Sequence, residues 1–234
     1  MTYEILIGID RDNTINFDEE AYFGSKANWK EDLRFCPGAL DGLRKLSEQP
    51  NIALAVLTSQ VGIAKGVLTP ERVEEVNHTM DQLLRQEGGN IDSWQYCPFV
   101  NRSGAERWEK RDIQGLNYDF VLEDGDARSN LKKPGDGLLR LAAQEFGIDY
   151  DSISKFVVGD RSSDALCGYN AGGVGILINN PGVGRGPSSF DKTGKIESML
   201  DKPENEGKLY IVSNLVEAAE IILGSLEKST KFYR

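Results

Sequence analysis

Asp10 and Asp12 follow a short apolar run, Ile5–Ile9, within Asp10-Arg11-Asp12-Asn13-Thr14. In extended backbone an i, i+2 pair points to one side, and two carboxylates held there repel unless a cation lies between them. The same residues also suit an ordinary turn. A second apolar run, 52–57, ends in Thr58-Ser59-Gln60, a hydroxyl and backbone N–H groups fit for an anion or, equally, for a helix N-cap. Lys132-Lys133-Pro134-Gly135-Asp136-Gly137 precedes a helical pattern. Pro134 biases Lys133 away from helical geometry and Asp136 is suited to cap the helix, although a solvated lysine pair needs no function. A third run, 156–158, leads into Gly159-Asp160-Arg161-Ser162-Ser163-Asp164, whose acids equally suit a helix N-terminus.

Together these signals say more than each alone. Three acids, a hydroxyl and a lysine come from four segments, each predicted at the carboxyl edge of one sheet, where open α/β folds bind ligands. Mg²⁺ takes one or two carboxylates and completes its shell with water and phosphate oxygens. Lysine and hydroxyl groups suit the oxygens of a transferring phosphoryl group. The set reads as a phosphoryl-transfer site built around a divalent cation.

The elements that must position it alternate along the chain. Strands are predicted at Ile5–Ile9, 52–57, 93–99, 120–122, 156–158 and Val174–Ile178, with helices near 38–48, 71–87, 137–147, 163–171 and 214–226. This pattern predicts an α/β fold, a Rossmann-like parallel sheet with helices on both faces. Residues 1–234 read as a single domain with no large cap. Two stretches resist the pattern: 100–131, dense in charge and aromatics, and 179–208, a long loop rich in Gly, Pro, Ser and Asn. Loops of such length are commonly functional or mobile.

Composition narrows the chemistry. The 234 residues hold 27 Lys+Arg against 37 Asp+Glu, a net charge of −10, which argues against phosphate-neutralising contacts with nucleic acid. One histidine, His78, leaves no multi-histidine metal site, and it lies on a polar helix pattern facing solvent. Cys36, Cys97 and Cys167 are odd in number and far apart, as suits a reducing, cytoplasmic compartment. None has Arg six positions on, which excludes a cysteine-phosphatase loop. The N-terminus has no signal-peptide pattern, and no apolar run has membrane-spanning length.

The ordered motifs D10-R-D-N-T-I-N16, T58-S-Q-V-G-I63, L131-K-K-P-G-D-G137 and G159-D-R-S-S-D164 resemble the four motifs of the haloacid dehalogenase superfamily of phosphatases. The likeness is greatest to the capless branch holding histidinol-phosphatase and heptose bisphosphate phosphatase, and covers about residues 5–178. It implies that Asp10 is the nucleophile, forming an aspartyl-phosphate without help from a base, and that Asp12 is the general acid and base. Mg²⁺ would be held by the Asp10 carboxylate, the Asp12 backbone carbonyl and the Asp160 carboxylate. Thr58 and Lys133 would stabilise the phosphoryl group. Ser59, Gln60, Lys132, Arg161 and the segment from Asp18 to Ala21 would lie near the substrate.

Departures from the branch are specific. Its zinc loop needs four ligands; Cys97 matches the first, but Phe99, Ser129 and Leu131 fill the other positions, so no structural zinc is expected. Lys132 replaces an Arg, losing a bidentate fork, and Asn13 replaces a Gly, a residue type that tolerates left-handed backbone. In 100–131, Arg102, Arg107, Lys110, Arg111 and Arg128 either grip a second anionic group or form a salt-bridged surface loop. Asp124 and Asp126 are a further acid pair, in which Gly125 marks a turn. The resulting expectation is a Mg²⁺-dependent phosphatase of small phosphorylated metabolites, sugar phosphate or histidinol-phosphate in type. It would act away from membranes and nucleic acid, as a monomer or weak homo-oligomer. A nucleotide or polynucleotide 3′-phosphatase, a phosphotransferase and a non-catalytic phosphate-binding protein are the rival readings.

Overall fold

The computed structural model describes residues 3–19, 22–111, 115–180 and 194–231. Six parallel strands form one sheet in the order β3-β2-β1-β6-β7-β8: β1 Ile5–Ile9, β2 Ile52–Ser59, β3 Ser93–Cys97, β6 Ser154–Gly159, β7 Val174–Ile178 and β8 Leu209–Val212. All five residues of β1 are buried, as expected of a central strand covered on both faces. Helices α1 (Ala39–Ser47), α2 (Pro70–Gln86) and α7 (Leu215–Lys231) contribute Leu43, Leu46, Leu84, Leu215 and Ile222 to the core on one face. The other face packs against α4 (Gly137–Glu145) and α5 (Ser162–Asn170) through Leu138, Leu139, Ala142 and Cys167. Among the described residues no separate cap domain stands over the sheet.

Strand direction reverses its spread between β1 and β6, the topological switch point where such sheets open a crevice. The register makes that edge level: Ile9 pairs with Val56 on one side and with Val158 on the other. The next residues of each chain, Asp10, Leu57-Thr58 and Gly159-Asp160, therefore leave the sheet side by side.

Several elements differ from expectation. The 93–99 strand stops at Cys97, and the expected strand at 120–122 is only β5 (Val121–Leu122), which pairs with β4 (Val100–Asn101) away from the main sheet. Within 100–131 lies an unexpected helix, α3 (Arg102–Glu109), capped by the Asn101 side chain accepting from Gly104 N–H. The 179–208 segment is not loop throughout: Gly194–Leu200 forms α6, whose Ile196 packs on Leu177, and a 3₁₀ turn, Pro203–Asn205, leads on to the four-residue β8. Residues 181–193 lie outside the described residues, as does Ala21.

Candidate active site

Lys133 is the hub of the pocket at the sheet edge. It comes from the segment between a 3₁₀ turn, Ala127–Leu131, and α4. Its Nζ lies 2.6 Å from Asp10 Oδ1, 2.6 Å from Asp164 Oδ1 and 2.7 Å from the Leu57 carbonyl. Two of these contacts, to Asp10 and the Leu57 carbonyl, are hydrogen bonds, and the third is an ion pair with Asp164, so the ammonium is fixed in place. Burial would pull the Lys133 pKa down, but Asp10 and Asp164 outweigh it and hold the group above its usual range, as the cation.

Asp10, Asp160 and Asp164 are all buried, and each offers an oxygen within 4.8 Å of the others. Asp164 does two things. Its Oδ2 accepts from Arg161 N–H at 2.9 Å, closing the capping box of α5, while Oδ1 faces Lys133. Gly159 permits this approach, since a Cβ there would stand 2.4 Å from the Asp164 carboxyl carbon.

The pocket around Asp10 opposes its ionisation. Burial, and then Asp164, Asp160 and Asp12, push its carboxyl up to about 8 despite the attraction of Lys133. Four carboxylates face the buried cations Lys133 and Arg11, with Arg161 at 3.9 Å from Asp160, so negative charge remains in excess when all are ionised. A hard dication suits that excess and its oxygen donors. Asp10, Asp160 and Asp164 therefore fit a Mg²⁺ ion, with Asp164 an addition to the expected set.

Asp12 stands apart from this trio. Arg11 donates from Nε to its Oδ1 and from Nη2 to its Oδ2, both at 3.1 Å. Gln60 Nε2 donates to the same Oδ2 at 2.9 Å and to Thr58 Oγ1 at 2.7 Å, and Thr58 Oγ1 reaches Oδ2 at 3.4 Å. Gln60 is buried and turned toward Asp12, which it holds by this bond. Thr58 is likewise buried, with its hydroxyl engaged by Asp12 and Gln60. Asn13 takes φ 64°, the left-handed conformation anticipated for it, and its Oδ1 accepts from Asp18 N–H at 3.0 Å.

The remaining candidates lie nearer the surface. Arg161 and Lys132 are exposed, while Ser59 and Asp18 are half-buried. Arg161 Nε lies 3.9 Å from Asp160 Oδ1. Asp136 occupies the N-cap position of α4 but does not cap it; it accepts instead from Asn130, Arg140 and Tyr150. Arg102 pairs with Glu123 and Arg128 with Asp126 at the surface, an arrangement that adds little to stability in water. His78 is exposed. Sequence reasoning missed the inward side chains of Gln60 and Asp164 and the bond of Arg11 Nη1 to Asn77 Oδ1, 2.8 Å long and 66 residues apart in sequence.

The chain is similar to known proteins in sequence and in fold. A family model described as HAD-hydrolase-like matches residues 130–218. A D-glycero-beta-D-manno-heptose-1,7-bisphosphate 7-phosphatase of Escherichia coli is 30% identical over 173 residues, 74% of this chain and 78% of its own length. Its counterpart in Pseudomonas putida is 26% identical over 93% of this chain and 99% of its own. In fold, the chain matches a D,D-heptose 1,7-bisphosphate phosphatase from B. bronchiseptica solved with magnesium and phosphate, with a TM-score of 0.63 at 22% identity, covering 96% of this chain and 99% of that one. With four converging motifs and a relative this similar along most of its length, the chain belongs to the haloacid dehalogenase superfamily, in the branch of phosphatases that includes the heptose bisphosphate enzymes.

Proposed function

We propose that this protein hydrolyses the phosphate monoester of a small phosphorylated sugar through an aspartyl-phosphate on Asp10. The observation that carries this reading is the meeting of Lys133 Nζ with Asp10 and Asp164 at 2.6 Å each. Asp10 attacks phosphorus as the ester P–O bond breaks, and Asp12 gives its proton to the leaving oxygen. Asp12 then takes a proton from water, which attacks the same phosphorus and frees Asp10. Lys133 holds Asp10 in place and faces the charge on the phosphoryl oxygens. Mg²⁺, held by the Asp10 and Asp160 carboxylates and the Asp12 carbonyl beside Asp164, would neutralise that charge and keep Asp10 ionised.

The curated relatives are named for a heptose bisphosphate, which makes a phosphorylated sugar the first substrate class to try. The buried free cysteines support a reducing, cytoplasmic setting, and no helix among the described residues is long and apolar enough to cross a membrane. Where a zinc loop would be stapled, Phe99 packs on Phe120 with ring centroids 6.0 Å apart and Arg128 sits 5.1 Å over the Phe99 ring. This packing supports a loop held without zinc. Purified protein with Mg²⁺ should release phosphate from sugar phosphates, and Asp10→Asn should abolish release. Turnover that survives Asp10→Asn would show that the nucleophile is misassigned.

A further inference from the structure

We propose that Arg11 is a positioning residue: its guanidinium, anchored by Asn77, fixes the Asp12 carboxyl group, which carries the proton when substrate binds and is left as the carboxylate once that proton passes to the leaving oxygen. The inference rests on the reading of Asp12 as general acid. Arg11 has no exposed surface at all, although a charged side chain is costly to bury. An apolar side chain of similar size would fill the same space as well or better, so packing does not account for it.

What the guanidinium touches does account for it. Two of its nitrogens form a fork on the two oxygens of Asp12, each at 3.1 Å, a geometry that fixes orientation as well as charge. The third, Nη1, donates at 2.8 Å to Asn77 Oδ1. Asn77 is itself buried on α2 between Val76 and Met80 on the apolar side of that helix. The acid is thus tied through Arg11 to a helix that packs against the core. Gln60 and Thr58 touch only Oδ2, so among the described residues it is Arg11 that holds Oδ1. The Asp12 side chain keeps 18% exposure, which leaves it open toward substrate.

Proton transfer needs hydrogen-bond reach and falls off when the acid can turn away. A sugar alkoxide is a poor leaving group and needs that proton, whereas nitrophenolate leaves without one. kcat/KM reports only the steps through phosphoryl transfer to Asp10, so it isolates the acid function. In Arg11→Lys, kcat/KM for a sugar phosphate turned over by the native enzyme should fall about tenfold or more, while that for p-nitrophenyl phosphate should stay within about threefold. Arg11→Lys keeps the charge and loses the fork; should it not fold, Asn77→Leu, which removes only the anchor, carries the same test. Equal losses on both substrates, or no loss on either, would overturn the proposal. Asp12→Asn is the control: if it shows no dependence on the leaving group, the reading of Asp12 fails; if it shows that dependence and the clamp variants do not, only the role of Arg11 fails.

Discussion

At Asp10, burial and three neighbouring acids oppose ionisation more strongly than Lys133 favours it. In the metal-free protein the folded carboxyl keeps its proton up to about pH 8, whereas the unfolded chain loses it near pH 4. The folded state therefore binds the extra proton between those limits, so stability falls as pH rises from about 4 to about 8 and levels off above. An ion that binds only the folded state opposes this fall. Thermal melts should show Mg²⁺ raising the midpoint, by more at pH 8 than at pH 5; equal curves at pH 8 would count against a cation site. Asp10, Thr58, Lys133 and Asp160 were legible because each follows an apolar strand or precedes a helix start. The clamp of Arg11, Asn77 and Gln60 was not, because it depends on a bond between residues 66 positions apart, which no local pattern records.

The elements hold those residues in place through close backbone approaches. A Cβ at Gly175 on β7 would stand 1.9 Å from the Ala165 carbonyl of α5, so even Ala must push that helix off the sheet. Gly175→Ala should cost about 1–3 kcal/mol and lower the melting midpoint by several degrees, at roughly 2–4 °C per kcal/mol for a chain of this size. An unchanged midpoint would show that α5 shifts freely. Gly159→Ala acts on the site itself by displacing Asp164; its Mg²⁺ affinity, read from the dependence of rate on metal, should weaken several-fold with a near-native circular dichroism spectrum. Strands β1, β2, β6 and β7 were legible as continuous apolar runs. α3 was not, since Gly104 and Ala105 are its only buried residues and it has no apolar stripe to see. Nor was β8, whose four residues come right after a short turn in a segment poor in apolar periodicity.

Across the whole molecule, one sheet edge collects side chains from four distant stretches, and the −10 charge of the chain includes the four acids that this edge must neutralise. The aromatic packing of Phe99 and Phe120 should make the fold indifferent to zinc: a zinc-selective chelator should leave the melting midpoint unchanged, and a drop would reveal a bound metal that the loop needs. All of the catalytic chemistry assigned to this edge passes through one covalent species. Enzyme mixed with Mg²⁺ and a turned-over sugar phosphate, quenched in acid within a single turnover and mapped by mass spectrometry, tests it directly. The Asp10 peptide should carry the added mass of one phosphoryl group, absent in Asp10→Asn. A phosphoryl group on any other residue, or burst-phase product release with an unmodified Asp10 peptide, would contradict the account.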